Sequence, residues 1–221
     1  MPASTLFDVE GFRSEPDRLA VVRRVSGPTL VLGSTQPAEL VSRSRVKERE
    51  VEVVRRRGGG GSVYLGPGGF LWIDAWIPRS DRLWNGDVSA AAAWAGAWWT
   101  DGLASVGVDN LEVHAGRSRP GELGELVCFA GRGPGEVFHH GRKVMGLSQW
   151  RSREGSLFSM CVYARWDPVP LLDLMPLEDD VRESLAADLI AVAVGTGELT
   201  EGGADLEALG AHLLVSFPQW G

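Results

Sequence analysis

Four glycines in a row, Gly58 to Gly61, stand directly behind three arginines, Arg55 to Arg57. Glycine loses the most backbone freedom on ordering, so neither helix nor strand runs well through such a stretch. Its flanks, Val51–Val54 and Val63–Leu65, are β-branched and aromatic and read as strands. A second turn, Gly66-Pro67-Gly68-Gly69, leads into a further strand over Phe70–Ile77. The loop therefore joins strands, which excludes two phosphate-binding designs. No Gly-Lys-Ser/Thr follows and no helix starts there, as a P-loop requires. A dinucleotide fold also needs a helix after its glycines. Two readings remain. Backbone N–H groups, with Arg55, Arg56 and Arg57, form an anion site, or the stretch is a hairpin turn with surface arginines.

The rest of the pattern sets the fold class. Strands are expected at Ala20–Val25, Thr29–Gly33, Leu111–His114, Leu126–Ala130, Glu136–His139, Lys143–Trp150 and Ser156–Trp166. Helices are expected from Pro37 to about Arg49, over Asp87–Val106 with Asp87 as cap, and over Leu177–Val192 and Ala204–Leu214. This predicts an α+β fold, a mixed, largely antiparallel sheet flanked by helices. With 221 residues and no long linker, a single domain over 1–221 is expected.

Net charge −7 argues against a nucleic-acid binder. The first seventeen residues hold no signal-like apolar core, and no run approaches the roughly 20 apolar residues of a membrane span. Two cysteines make no disulfide framework. A reduced, cytoplasmic, monomeric protein is the expectation. The four histidines show no metal-ligand spacing, and His139 and His140, as strand neighbours, are expected on opposite faces. The nine tryptophans read mainly as core, with Trp94/Trp98 and Trp72/Trp76 each sharing a face.

Only two of the 22 basic residues are lysines, Lys47 and Lys143. Lys143 opens the second strand of a hairpin, Gly135 to Arg151, where its ammonium reaches a pocket beside the sheet or simply caps a turn.

The glycine loop and this hairpin together resemble the lipoate–protein ligases and octanoyltransferases. Arg55–Val63 looks like their R-R-x-S-G-G-G-A-V loop, with Gly58 in place of the usual serine. Gly141–Gln149 looks like their G-R-K-I-x-G-x-A-Q motif. Pro28–Gln36 resembles an early strand–Gly–x–x–Gln element. The resemblance covers roughly residues 20–165; 167–221 read as a helical C-terminal part. It implies the catalytic-domain fold shared with biotin–protein ligases. It also implies that Arg55, Arg56, Gly59, Gly60, Gly61 and Ser62 close over an acyl chain or acyl-adenylate, with Gly146 and Gln149 in the same site. Lys143 would place its charge on the acyl carbonyl or leaving group. The acyl group, octanoyl or lipoyl, would end on a lysine of a lipoyl carrier domain.

Cys128, in Leu126-Val-Cys-Phe-Ala130, stands fifteen positions before Lys143. A subgroup of octanoyltransferases has a similar Cys-Phe segment with that cysteine as nucleophile. The resemblance implies attack of Cys128 on an acyl-carrier thioester, without further cofactor. The alternatives are a ligase that uses ATP and Mg to make a lipoyl-adenylate, and a non-catalytic acyl- or cofactor-binding paralogue. Where the family often has Gln-His-Gly, this chain has Ser156-Leu-Phe-Ser-Met160. The basic residues Arg43, Arg45, Lys47, Arg49 and Arg55–Arg57 read as a rim that steers an acidic carrier, or as a solvated helix face balanced by Glu48, Glu50 and Glu52.

Overall fold

The structure is a computed structural model and describes residues 9–217. Nine strands form two sheets: β1 (Leu19–Arg23), β2 (Thr29–Leu32), β3 (Glu52–Arg55), β4 (Val63–Leu65), β5 (Phe70–Pro78), β6 (Leu111–Val113), β7 (Val137–His139), β8 (Arg142–Arg151) and β9 (Gly155–Tyr163). The larger sheet runs β1-β5-β9-β8-β7-β6 with every neighbouring pair antiparallel. The smaller runs β3-β2-β4, with β2 parallel to β3 and antiparallel to β4. The helices are α1 (Glu10–Arg13), α2 (Arg43–Glu48), α3 (Val88–Ala91), α4 (Ala93–Ser105), α5 (Gly121–Leu126), α6 (Val169–Leu172), α7 (Asp179–Val192) and α8 (Leu206–Ser216). The fold is α+β, mixed and largely antiparallel, as the sequence pattern predicts.

β5 explains the layering. Strand side chains alternate between faces, and β5 carries buried apolar side chains on both, with Asp74 the polar exception. Leu71, Ile73, Ala75 and Ile77 pack with Trp98, Trp99 and Leu103 of α4 and Leu209 and Leu213 of α8. From the opposite face Trp72 meets Val31, Val63 and Leu65 of the small sheet. Leu30 and Leu32, on the other side of that sheet, pack with Phe129, Leu172 and Leu189. The small sheet, with the glycine loop between β3 and β4, thus lies sandwiched over the large one.

Three elements differ from the sequence reading. The helix expected from Pro37 to Arg49 is a 3-10 turn, Ala38–Leu40, then an extended Val41 and α2. The break follows from Ser42, whose N–H donates to the Leu174 carbonyl at 2.7 Å. The helix over Asp87–Val106 is divided at Ala92; Asp87 does cap its start, accepting from Ala90 N at 2.8 Å. The strand expected over Leu126–Ala130 is instead the end of α5 and a 3-10 turn, Cys128–Ala130. Only Val127 between them is extended, bridging to Ser62. Gly124 allows this turn: a Cβ there would sit 2.7 Å from the Gly131 Cα.

Candidate active site

The glycine loop is held from below by its own arginines. Arg55 Nη1 donates to the carbonyls of Gly33 (2.7 Å) and Gln36 (2.6 Å). Arg56 Nη2 donates to Gly59 O (2.7 Å) and Gly61 O (2.8 Å). Buried carbonyls need donors, and these two guanidinium groups supply them. Gly60 has φ +93°, a conformation side chains disfavour. Gly33 lies so close beneath that a Cβ on it would overlap the Gly60 carbonyl oxygen. Gln36 ties the loop's far end to α5. Its Oε1 accepts from Gly33 N and Ser62 Oγ, while its Nε2 donates to the carbonyls of Glu125 and Leu126.

Lys143 is almost fully buried, 1% exposed. Its Nζ pairs with Glu136 Oε2 at 2.7 Å and donates to the carbonyl oxygen of Cys128 at 2.8 Å. Glu136 also accepts from Gly133 N at 2.6 Å and Leu147 N at 3.2 Å. Burial pushes the Glu136 carboxyl above its ordinary range, and the Lys143 ammonium opposes that shift. Sequence reading missed Glu136. Its signal was a lone carboxylate at the head of β7, beside the strand that carries Lys143.

These groups surround one cavity of about 310 Å³. Gly59–Gly61, Cys128, Glu136, Lys143 and Gln149 line it, with apolar wall from Ala92, Pro120 and Leu147. The glycine loop, the α3 region, the stretch from Ser118 to Glu136 and β8 are thereby brought together. The side-chain oxygen and nitrogen of Gln149 are both buried without a hydrogen-bond partner. Cys128 is half-buried. It also lines a second cavity, of about 10 Å³, shared with Arg56, Gly146 and Cys161.

Four of the expected site residues do not line the large cavity. Arg55 is turned to the β2 loop, and Arg56 lies beneath the glycine loop. Ser62 is fully buried against Gln36. Gly146 makes room for a ring: a Cβ there would stand 3.0 Å from Phe129 Cε2. Gly58 has a similar cause. A Cβ at that position would lie 2.9 Å from Ser148 Oγ, so the chain has glycine where its look-alikes have serine.

Other residues fall elsewhere. His140 has φ +47° in the turn after β7, and its ring lies 4.3 Å from that of His139, so the two do not take opposite faces. Trp94 and Trp98 stack at 5.9 Å within the core. Of the basic stretch, Arg45 donates to the Met175 carbonyl and Arg49 pairs with Asp173, and Arg55 and Arg56 hold the carbonyls named above. Among the described residues, no cluster of three His, Cys, Asp or Glu side chains is placed to hold a metal ion, and no helix is long and apolar enough to cross a membrane.

The fold agrees with the comparisons. Residues 9–189 match the model of the lipoyl protein ligase A/B catalytic domain, and the chain belongs to that family. Among solved structures it is similar to the bipartite lipoate protein ligase of Thermoplasma acidophilum, described with its E2 lipoyl domain. That match has TM-score 0.74 and 18% identity, covering 96% of this chain and 76% of the other. It is also similar to a lipoate-protein ligase A bound with ATP, with TM-score 0.71 and 19% identity, covering 99% and 81%. A further T. acidophilum structure, with lipoic acid bound, gives TM-score 0.69 and 18% identity, covering 96% and 78%. No curated protein sequence matches the chain.

Proposed function

We propose that this protein attaches an octanoyl or lipoyl group to a lysine of a lipoyl carrier domain, by way of an acyl-enzyme on Cys128. The observation that carries this is the shared cavity: Cys128, Lys143 and the glycine loop line the same space. The family and the lipoate, ATP and lipoyl domain seen with its structural relatives support the substrate class.

The chemistry follows from the groups present. Cys128 Sγ attacks the carbonyl carbon of an acyl-carrier thioester; the new C–S bond forms as the carrier thiolate leaves. The acceptor lysine's amine then attacks the same carbon, Cys128 Sγ departs, and the amine loses a proton. An ammonium has three N–H donors. Two of those on Lys143 bind Glu136 and the Cys128 carbonyl, which leaves one for the acyl oxygen as charge develops there. The backbone N–H of Cys128 donates to the Ser62 carbonyl at 3.0 Å, which fixes the turn that carries the thiol.

The ligase reading needs cations for a triphosphate. Lys143 and Arg132 are the basic side chains lining the cavity. Lys143 is neutralised by Glu136, and Arg132 bonds the Gly141 carbonyl and lies over Phe138. Arg55 and Arg56, the expected phosphate ligands, hold loop carbonyls instead. This favours a thioester donor over ATP and Mg.

The test is intact mass after incubation with an octanoyl-carrier thioester. An acyl adduct that disappears in Cys128→Ala supports the transferase. No adduct, with lipoate-dependent ATP–pyrophosphate exchange, means the ligase. Silence in both assays leaves the binding paralogue.

A further inference from the structure

Among the described residues, Arg56 is a buried charge without a counter-ion. Its side chain is 3% exposed, and Nε and Nη1 meet no hydrogen-bond partner. Asp74 lines a second small cavity with it. That carboxylate, however, is held by Arg23 at 2.8 Å and by Trp72 Nε1 and Ser159 Oγ. A guanidinium keeps its proton in proteins, and an uncompensated buried cation is strongly unfavourable.

Burial lowers the Arg56 pKa, and the neighbouring ionisable groups that oppose this are Cys128, Tyr163 and Cys161. Burial pushes the Cys161 thiol and the Tyr163 phenol well above their ordinary values, so both stay protonated. Tyr163 also donates its hydroxyl to the Tyr64 carbonyl. Cys128 is the group left to supply an anion. It lines the 10 Å³ cavity with Arg56 on one side and the acyl cavity on the other. Lys143, the cation that the sequence offers as its activator, is paired with Glu136 and bonds the Cys128 carbonyl, not its thiol.

We propose that Arg56 is the cation that stabilises the thiolate of Cys128. The inference rests on Cys128 as nucleophile, and Arg56 is then a positioning residue that does not touch the acyl group. On ionisation the Cys128 proton leaves to solvent through the open cavity, and the guanidinium gains the anion it lacks. Acylation converts the thiolate to a neutral thioester and leaves Arg56 uncompensated again. That raises the acyl-enzyme in energy and favours onward transfer to the acceptor amine, which restores the thiolate.

The experiment follows iodoacetamide alkylation of Cys128 against pH, with the modified residue read by mass spectrometry, in wild type, Arg56→Gln and Arg56→Lys. Arg56→Gln should move the profile to higher pH and slow alkylation at pH 7 by about tenfold or more, since each unit changes the thiolate fraction about tenfold. Arg56→Lys, which keeps the charge, should fall between. Coincident wild-type and Arg56→Gln profiles overturn the proposal and leave Arg56 merely hydrated. Where Arg56→Gln does not fold, wild type decides: a midpoint at or above that of an unstructured cysteine peptide overturns the proposal, and one below it supports it. The intact-mass assay separates the two ideas. An acyl adduct with coincident profiles refutes the role of Arg56 and keeps the nucleophile. Displaced profiles with no adduct keep the ion pair and refute the transferase.

Discussion

The ammonium of Lys143 lies 2.7 Å from the carboxylate of Glu136, both at most 4% exposed. Removing one partner of a buried pair costs about 3–5 kcal/mol, because the other is left charged and unpaired. Lys143→Ala and Glu136→Gln should each lower stability in urea by roughly that amount. Lys143→Ala should also reduce acyl transfer by about 10²–10³-fold. The double variant Lys143→Met/Glu136→Leu should regain much of the stability and none of the activity. An active double variant would remove Lys143 from the chemistry.

Gln149 has a buried side-chain amide with no partner among the described residues, on the wall of the large cavity. An unsatisfied buried polar group costs about 1–3 kcal/mol. Gln149→Met should therefore raise the melting temperature of the free protein. If the amide binds substrate, the same change should raise KM more than it lowers kcat. Steady-state kinetics beside a thermal melt checks both halves.

Gly58 and Ser148 occupy positions where only one can carry a side chain freely. Overpacking typically costs about 1–3 kcal/mol, so Gly58→Ser should destabilise by that order. In a Ser148→Gly background the cost should shrink, and a double-mutant cycle measures the coupling. Independent, additive effects would show that the loop shifts away from Ser148 at no cost.

Asp74 gives a pH signature. Burial raises its carboxyl above the ordinary value, with Arg23, Ser159 and Trp72 opposing. In the window between the unfolded value, about 3.9, and the raised folded value, the folded state holds more protons than the unfolded chain. Stability from this group is thus present at low pH and declines as pH rises through that window. The stability difference between wild type and Asp74→Asn should fall over that interval and be flat above it. Urea titrations at stepped pH test this; a difference that rises instead reverses the assignment.

The glycine run and the Gly-Arg-Lys turn were legible because both depend on backbone and motif; Gly59–Gly61 of the one and Lys143 of the other line the same cavity. The sheet was legible from alternation, as in β5. Cys128 lines the same cavity as Lys143 but stands on a turn and not on the expected strand, because Leu126-Val-Cys-Phe reads apolar whether strand or turn. What bends it is Gly124 meeting Gly131, a contact between chain segments. Arg55 and Arg56 looked like anion ligands because a sequence does not show which carbonyls lack donors. Glu136 was invisible for the converse reason: one carboxylate acquires meaning only when a lysine is buried beside it.

The Ser62–Cys128 backbone bond has a mechanical consequence. Ser62 ends the glycine loop, so roof and thiol are fastened to each other, whereas Lys143 stands on the large sheet. Its bond to the Cys128 carbonyl joins the two. A displacement of the glycine loop is therefore carried through Ser62 to the Cys128 backbone, and it loads the bond from Lys143 to the Cys128 carbonyl.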